Sequence, residues 1–544
     1  MSKTFPTEFI DFLKRPDSYS HRPDRVEHIQ THISHVFIAS PYVYKFKKPV
    51  NFDFLDFSTL EKRKYYCEQE VELNNRLCDG SYLGVIPLYK QGESWSFDPN
   101  ESKLPVEYCV WMKQLPKEHF LIEHVRKGGL TSGHLDRVVS RLVPFYGNQK
   151  KASDIRQWGR PERIKTNTDE NFNQTAPFIG DTIDRVTFDT IRSFTDRYLE
   201  QNSNLFEKRI RDGRIVDGHG DLHLEHIHIT GERICIYDCI EFNDRFRYQD
   251  IASDISFLAM DLDFNGLQIE SRYFAEQMAE KLDDPELLQI ISFYKCYRAY
   301  IRGKVKSMES QEEEVEASDR DHAARLASRY FSLALTYALF GSRPAVLVFM
   351  GRVASGKSTL AGLAAEKLNI NRFSSDSERK KLAGLPLAER ASESDRNRIY
   401  RENMTEQTYK RLIERAKEEV SRGKSVVLDA TFAKPENRNS LTSEMESIDT
   451  NIYFIEAHAS VKIRKQRLAE RTRQKNIISD ARLEDVDFLD RMYHPPDEMD
   501  SGRLIRIDTA QSLNHSVEKL FLQISRISPT TRGSRYGRSS QISW

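Results

Sequence analysis

Through the first 300 or so residues, short runs of β-branched and aromatic residues alternate with longer charged stretches. VFIASPYVYKFKK (36–48) predicts a strand pair around a turn near Ser40-Pro41. Residues 59–78 predict a helix with Leu60, Tyr66, Val71 and Leu73 facing inward. EYCVWMK (107–113) reads as a buried strand that Leu115-Pro116 ends. Residues 148–180 are rich in Asn, Gln, Thr and Asp and read as a surface insertion or loosely packed loop. Helical patterning resumes at 187–210, and ICIYDCIEF (234–242) is a short buried strand. A helical block at 285–340 carries an acidic run from Gln311 to Glu314, which reads as a solvated face. Pro344 marks a boundary. Beyond it the apolar runs AVLVFM (345–350), SVVLDATF (425–432) and NIYFIEA (451–457) alternate with helical stretches.

This pattern predicts an α+β domain over 1–300, a helical connector over 301–343 and an α/β domain with a doubly wound parallel sheet over 344–526. The segment 527–544 holds several Arg, no acid, and much Ser and Gly; it reads as a disordered tail, with a weak basic arm as the alternative. The length of 544 residues allows roughly three or four domains. Lys plus Arg and Asp plus Glu each total 82, which argues against a globally basic nucleic-acid coat protein but leaves room for a local basic groove. Six scattered cysteines without a C-x-x-C fit a reducing compartment rather than a disulfide framework. The N-terminus has no apolar h-region, and no stretch approaches 18 uncharged apolar residues. A cytoplasmic location without a membrane partner is the expectation.

The clearest chemistry follows the 345–350 strand. Gly351-Arg352-Val353-Ala354-Ser355-Gly356-Lys357-Ser358-Thr359 is a G-x-x-x-x-G-K-S loop running into a helical sequence. Glycines let backbone N–H groups close around phosphate oxygens. Lys357 would reach the β- and γ-phosphates of ATP, and the Ser358 hydroxyl would ligate Mg²⁺. In NRFSSDSER (371–379), a strand ending near Ser374 would place Asp376 and Arg379 beside the nucleotide. Asp376 could take a proton from an attacking hydroxyl and Arg379 could hold the acceptor; the same pattern suits a helix N-cap at Ser375 or Asp376. Asp429, at the end of a strand, could hold the metal's water shell or the acceptor. Arg464, Arg467, Arg471 and Arg473 read as a lid helix over the phosphates, or as an ordinary cationic face.

These segments over about 345–510 resemble the P-loop kinase group that includes polynucleotide kinases, gluconate-kinase-like enzymes and zeta-toxin-type kinases. The resemblance implies Asp376 as general base and Arg467 or Arg471 as the lid arginine. It leaves the acceptor open between a small-molecule hydroxyl and a nucleic-acid 5′-hydroxyl.

A second constellation lies upstream. VDGHGDLHLEHIHI (216–229) holds Asp221, and Asp238 follows in ICIYD. Of two acids so placed, one can accept a hydroxyl proton and the other can hold Mg²⁺. Lys45 on a strand and Glu70 on the next helix could pair to orient the α- and β-phosphates, with Lys47 on the same strand face as a rival for Lys45. The backbone near Trp111–Lys113 could serve an adenine. His219, His223, His226 and His228 also suggest a zinc cluster, although the run reads as a turn entering a strand.

Over about 30–300 these motifs resemble the aminoglycoside-phosphotransferase (choline-kinase-like) family, which implies a protein-kinase-like fold. His226 stands where that family usually has a metal-binding Asn, so a second site using Asp238 and His226 would accept Mn²⁺ better than Mg²⁺. No clear Gly-rich loop is visible in this half. As a whole the chain resembles bacterial bifunctional aminoglycoside phosphotransferase/ATP-binding proteins. The resemblance implies an ATP-dependent phosphotransferase with two sites; the alternative is an ATP-driven switch with an N-terminal pseudokinase that recognises a ligand.

Overall fold

The computed structural model describes residues 5–52, 54–91, 94–98, 104–149, 153–312, 315–387, 391–448, 450–472, 482–500 and 502–527. The chain divides into two compact units. The first takes in the chain up to Ile164, Asn204–Gly266 and Tyr273–Leu287; the second takes in Lys165–Ser203, Leu267–Arg272 and the chain from Leu288 onward. Residues 301–343 thus lie within the second unit, where the helix Ala317–Phe340 packs against Arg185–Gln201 and Leu513–Ile527. The basic tail and Arg473 fall outside the described residues, apart from Ile527.

The first unit opens with a six-stranded antiparallel sheet. Its order is Glu27–Gln30, Ser34–Ala39, Tyr42–Lys47, Glu107–Lys113, Tyr82–Gln91, Ser94–Ser96. The expected strand pair around Ser40-Pro41 and the buried 107–113 strand are both present. One face of the sheet is filled by Phe37, Phe46 and Leu88 against Phe9, Phe12 and Leu13 of the helix Thr7–Lys14. Each such buried side chain is worth about 1.5–3 kcal/mol.

The helix Leu60–Asn74 starts where expected, with the Thr59 side chain accepting from Lys62 N. Its inward face differs from the prediction. Arg63, Cys67, Glu70, Leu73 and Asn74 are buried, whereas Leu60, Tyr66 and Val71 are half-buried. The helix faces ionic partners: Arg63 makes a bidentate pair with Glu107 at 2.7 and 2.9 Å. Apolar periodicity cannot find a stripe whose burial is compensated by charge pairing.

The polar stretch 148–180 is not a loose loop. It forms the helices Ser153–Arg156 and Pro161–Thr175, which bury Ile155, Ile164 and Phe172. Polar residues reach burial there because hydroxyls bond back along the helix, as Thr175 does to Asn171 O at 2.8 Å. The expectation of unpaired cysteines also needs correction at one place: Cys78 and Cys235 form a disulfide. Among the described residues, no helix is long and apolar enough to cross a membrane.

The second unit contains a five-stranded, wholly parallel sheet in the order Asn371–Ser374, Val426–Asp429, Ala345–Met350, Asn451–His458, Leu504–Asp508. The expected strands at 345–350, 371–374, 426–429 and 451–457 all appear. Every residue of Ala345–Met350 is buried, as a central parallel strand with both faces covered requires. Register pairs Phe349 with Asp429 and Asp429 with Ser374, so three chain segments end together at the carboxyl edge. That edge is where open α/β sheets bind ligands.

Candidate functional site

The loop 351–356 leaves the central strand at this edge and enters the helix Lys357–Leu368. Its curvature needs left-handed backbone at Gly351 (φ 134°), Ala354 (φ 59°) and Gly356 (φ 91°). A Cβ on Gly351 would lie 2.4 Å from the Ala457 carbonyl oxygen, so no other residue fits the neighbouring strand there. Ser355 Oγ is buried without a hydrogen-bond partner. A hydroxyl left unpaired in a closed loop of N–H groups suits an incoming phosphate oxygen. Ser358 Oγ donates to Asp429 Oδ1 at 3.1 Å, which brings together the two hard oxygen donors that could hold Mg²⁺. Burial pushes the Asp429 carboxyl up, against the pull of Lys357 and the Ser358 hydroxyl.

Asp376 sits in the first turn of the helix Ser375–Ala383. The cap is Ser374, whose hydroxyl accepts from Ser377 N at 3.1 Å; neither Ser375 nor Asp376 caps the helix. The Asp376 carboxylate is therefore not committed to the backbone. Arg379 Nη1 lies 3.6 Å from Asp376 Oδ1, and its guanidinium packs over Tyr400 at 4.5 Å. Thr359 is exposed on the helix beyond the loop.

The arginines of the helix Val461–Thr472 divide by position. Arg464 is buried in a bidentate pair with Asp490 at 2.5 and 2.8 Å. Arg467 braces the loop, donating to Thr509 Oγ1 at 3.0 Å and to the Ala354 carbonyl at 3.4 Å. Thr509 in turn donates to the Ser355 carbonyl. Arg471 is drawn down by burial and by Arg467, while Asp376 and Asp429 pull it the other way, which places it in the field of both acids. Arg372 was missed in the sequence, and Arg352 was read only as one residue of the nucleotide-binding loop. Arg372 donates to the Ser358 carbonyl at 2.8 Å. Arg352 bonds the Asp490 carbonyl at 2.8 Å and packs on Tyr493 at 4.8 Å.

In the first unit, both candidate lysines meet Glu70. Lys45 Nζ lies 2.8 Å from Glu70 Oε1 and 2.8 Å from Asp238 Oδ1; Lys47 Nζ lies 2.7 Å from Glu70 Oε2 and also pairs with Glu241. Lys45 is the one that reaches Asp238, and Lys47 anchors Glu70 from behind. Burial works against the Lys45 charge, but Asp238 and Glu70 hold its ammonium well above the usual lysine range. Burial likewise opposes the Asp238 charge, yet Lys45 and His226 hold that carboxyl well below the usual range. Asp238 lies two residues past the strand Arg233–Ile236, in left-handed backbone with φ 62°. Glu241 carried no sequence signal, because one acid in a run of apolar residues marks nothing by itself.

Asp221 sits beside His223 Nε2 at 3.4 Å and His226 Nδ1 at 3.6 Å. His226 Nδ1 lies 2.9 Å from the Asp221 carbonyl oxygen, and its Nε2 lies 3.5 Å from Asp238 Oδ2. His219 and His228 bond the backbone around this group, and His219 Nδ1 accepts from Asp221 N at 3.3 Å. His219 Nε2 bonds the Tyr237 carbonyl at 3.0 Å and His228 Nε2 bonds that of Pro116 at 3.1 Å. The loop is pinned by Asp254, which the sequence reading missed. Its carboxylate accepts from His219 N at 2.7 Å, Gly220 N at 2.9 Å, Tyr146 Oη at 2.9 Å and Gln249 Nε2 at 3.1 Å. It lies in the apolar helix Ile251–Phe264 beside Asp261 and Asp263, and, as with Glu241, the sequence does not mark which of these acids is paired.

Comparison with known proteins agrees with the geometry of the second unit. Residues 346–496 match a family model described as an AAA domain. A protein of Mycobacterium tuberculosis strain H37Rv, described as uncharacterized, is 29% identical over 436 residues, 80% of this chain and 83% of its own. Among solved structures, a gluconokinase from Sinorhizobium meliloti 1021 is 19% identical, covering 34% of this chain and 93% of its own, with a TM-score of 0.25. Chaetomium thermophilum Kti12 in complex with ADP-AlF3 is 18% identical over 33% of this chain and 99% of its own, with a TM-score of 0.25. The C-terminal region is a P-loop domain on its sequence match, its parallel sheet and its loop.

Proposed function

We propose that the protein is an ATP-dependent phosphotransferase whose surer nucleotide site is the P-loop of residues 351–359. The observation that carries this reading is the meeting of Ser358, Asp429 and the loop at one sheet edge, with Asp376 on the adjoining strand-to-helix turn. Loop N–H groups and Lys357 would hold the phosphates, and Mg²⁺ bound by Ser358 near Asp429 would neutralise their charge. Asp376 takes the acceptor's hydroxyl proton, Arg379 orients the acceptor, and Arg471 stabilises charge on the transferred group. Arg467 acts through the loop it braces. The acceptor is a small-molecule hydroxyl or a nucleic-acid 5′-hydroxyl, and the work is cytoplasmic.

The first unit, on this reading, is a kinase-like domain of the aminoglycoside-phosphotransferase type. Lys45 and Glu70 orient phosphates, Asp221 is the proton acceptor, and Asp238 with His226 holds a metal. The functional halves are 1–300 and 344–526, with 301–343 between them in the chain and packed within the second unit. The second reading keeps the P-loop as an ATP switch and makes the first unit a pseudokinase that recognises a ligand. It is favoured by His226, which fills the space between Asp221 and Asp238.

Lys357→Ala tests the main reading. It is expected to lower ATP turnover by about 10³-fold while leaving circular dichroism unchanged. Unchanged nucleotide affinity and turnover in that variant would remove the P-loop from the mechanism.

A further inference from the structure

The chain that follows Asp429 runs beside the P-loop at the carboxyl edge of the parallel sheet. Ala430 N donates to the Phe349 carbonyl at 3.1 Å, and Gly351 N donates to the Thr431 carbonyl at 3.4 Å. The start of the phosphate loop therefore leans on residues 430 and 431. The next residue, Phe432, has left-handed backbone with φ 45°. That conformation suits glycine and is unfavourable for a bulky side chain. The ring is nevertheless needed, because it fills the core beside Tyr409 and Phe454, with centroids at 5.1 and 6.5 Å.

Both polar groups of Phe432 are held by buried side chains of other elements. Its N–H donates to Tyr409 Oη at 3.0 Å, on the helix Glu402–Ser421. Its carbonyl accepts from Arg438 Nη1 at 2.7 Å, on the helix Pro435–Glu446. Arg438 is fully buried and fixed in turn by Glu498, with Nε–Oε1 at 2.6 Å and Nη2–Oε2 at 3.0 Å. Burial pushes the Tyr409 hydroxyl above the usual tyrosine range, against the pull of the Phe432 N–H, so it stays neutral and keeps accepting that bond. The Phe432 N–H and the Thr431 carbonyl belong to one planar peptide. Tyr409 grips one edge of that plane and Gly351 the other.

We propose that Tyr409 is a positioning residue of the P-loop site: by fixing the 431–432 peptide it sets Gly351 and, through residues 429–431, the Asp429 carboxylate beside Ser358. The part concerning the site rests on the reading of the P-loop as a nucleotide site; the part concerning the turn does not. Tyr409 acts through backbone. Loop N–H groups and Lys357 hold phosphates with or without metal, so loosening the turn falls on the contribution of Ser358 and Asp429, which is the metal-dependent one.

Tyr409→Phe in the full chain removes the hydroxyl and keeps the ring. Amide hydrogen exchange at Phe432 and Gly351 should quicken by about 10-fold, as loss of one neutral hydrogen bond implies. Binding of a fluorescent ATP analogue is followed by the signal that Lys357→Ala removes. In chelator this signal should match the parent chain, while the Mg²⁺ concentration for half of the metal-enhanced binding should rise by about 10-fold. Met445→Ala, which opens a cavity in the same core from the helix Pro435–Glu446, should lower the urea midpoint without moving the Mg²⁺ requirement. Unchanged exchange or an unchanged Mg²⁺ requirement in Tyr409→Phe overturns the proposal, and so does an equal Mg²⁺ shift in Met445→Ala. If Lys357→Ala removes no signal, the nucleotide reading of the P-loop falls, and exchange at Phe432 and Gly351 alone decides whether Tyr409 holds the turn.

Discussion

The P-loop and the cluster around Asp221 hold their polar groups in place by different means. The P-loop is nine consecutive residues, shaped by backbone at Gly351, Ala354 and Gly356 and backed by a strand with no polar side chain. The Asp221 site gathers Lys45, Lys47, Glu70, Asp221, His226, Asp238 and Glu241 from segments nearly 200 residues apart, and holds them by buried ion pairs. A cradle of N–H groups accepts any phosphate that fits it and carries little desolvation cost when empty. A buried cluster of charges is stable only with its full complement, so each member constrains the others. The first kind of site tolerates change around it, and the second does not.

The largest expected effect tests that contrast at Asp254. Asp254→Ala removes the carboxylate that accepts from two backbone N–H groups, the Tyr146 hydroxyl and the Gln249 amide. The loss should be about 3–5 kcal/mol of stability in the first unit. Trp95, Trp111 and Trp158 all lie in that unit, so intrinsic fluorescence in a urea titration reports on it. An unchanged midpoint would mean that the loop does not depend on its buried acid.

A smaller effect is expected at the P-loop site from Asp376→Asn. Because Ser374 supplies the helix cap, the substitution should leave folding and ATP binding intact and lower transfer to the acceptor by about 10²-fold. Joint loss of folding and binding would instead mark Asp376 as structural. Unchanged basal hydrolysis with no acceptor found would favour the switch.

The same contrast explains what could be read from the amino-acid order. The loop 351–359, its flanking strand and helix, and Asp429 at a strand end were all legible, because backbone chemistry and sheet position leave local signatures. Lys45, Glu70, Asp221 and Asp238 were legible as motifs, but their partners were not. Glu241, Asp254 and the buried Arg63–Glu107 pair needed three-dimensional contacts, since a charged residue shows no sign in the sequence of whether it is paired. The helix Leu60–Asn74 illustrates the cost: of the apolar residues Leu60, Tyr66, Val71 and Leu73 expected inward, Leu73 is buried, and the rest of the buried face includes Arg63 and Glu70. The Pro161–Thr175 helix was missed for the opposite reason, because its polar residues satisfy themselves locally.

The smallest expected effect concerns a histidine outside the candidate chemistry. His35 is buried on the strand Ser34–Ala39, stacked on His28 with Nδ1 3.0 Å from His28 Nε2. Burial, then Lys48 and His28, push its pKa down to about 4. In the unfolded chain the ring titrates near 6.5. Between those values the unfolded state binds more protons, so stability is full above about pH 6.5 and declines as the pH falls toward 4. Its neighbour His28 is partly exposed, and solvent screening trims the effect to about 2 kcal/mol at most. His35→Gln removes the titrating group while keeping a side chain that can hydrogen-bond to His28. Urea midpoints followed by tryptophan fluorescence should fall less steeply between pH 6.5 and 4 in the variant than in the parent chain. Parallel curves would show that the acid sensitivity of the first unit resides in its other buried charges, among them the Lys45–Glu70–Asp238 cluster and the Arg63–Glu107 pair.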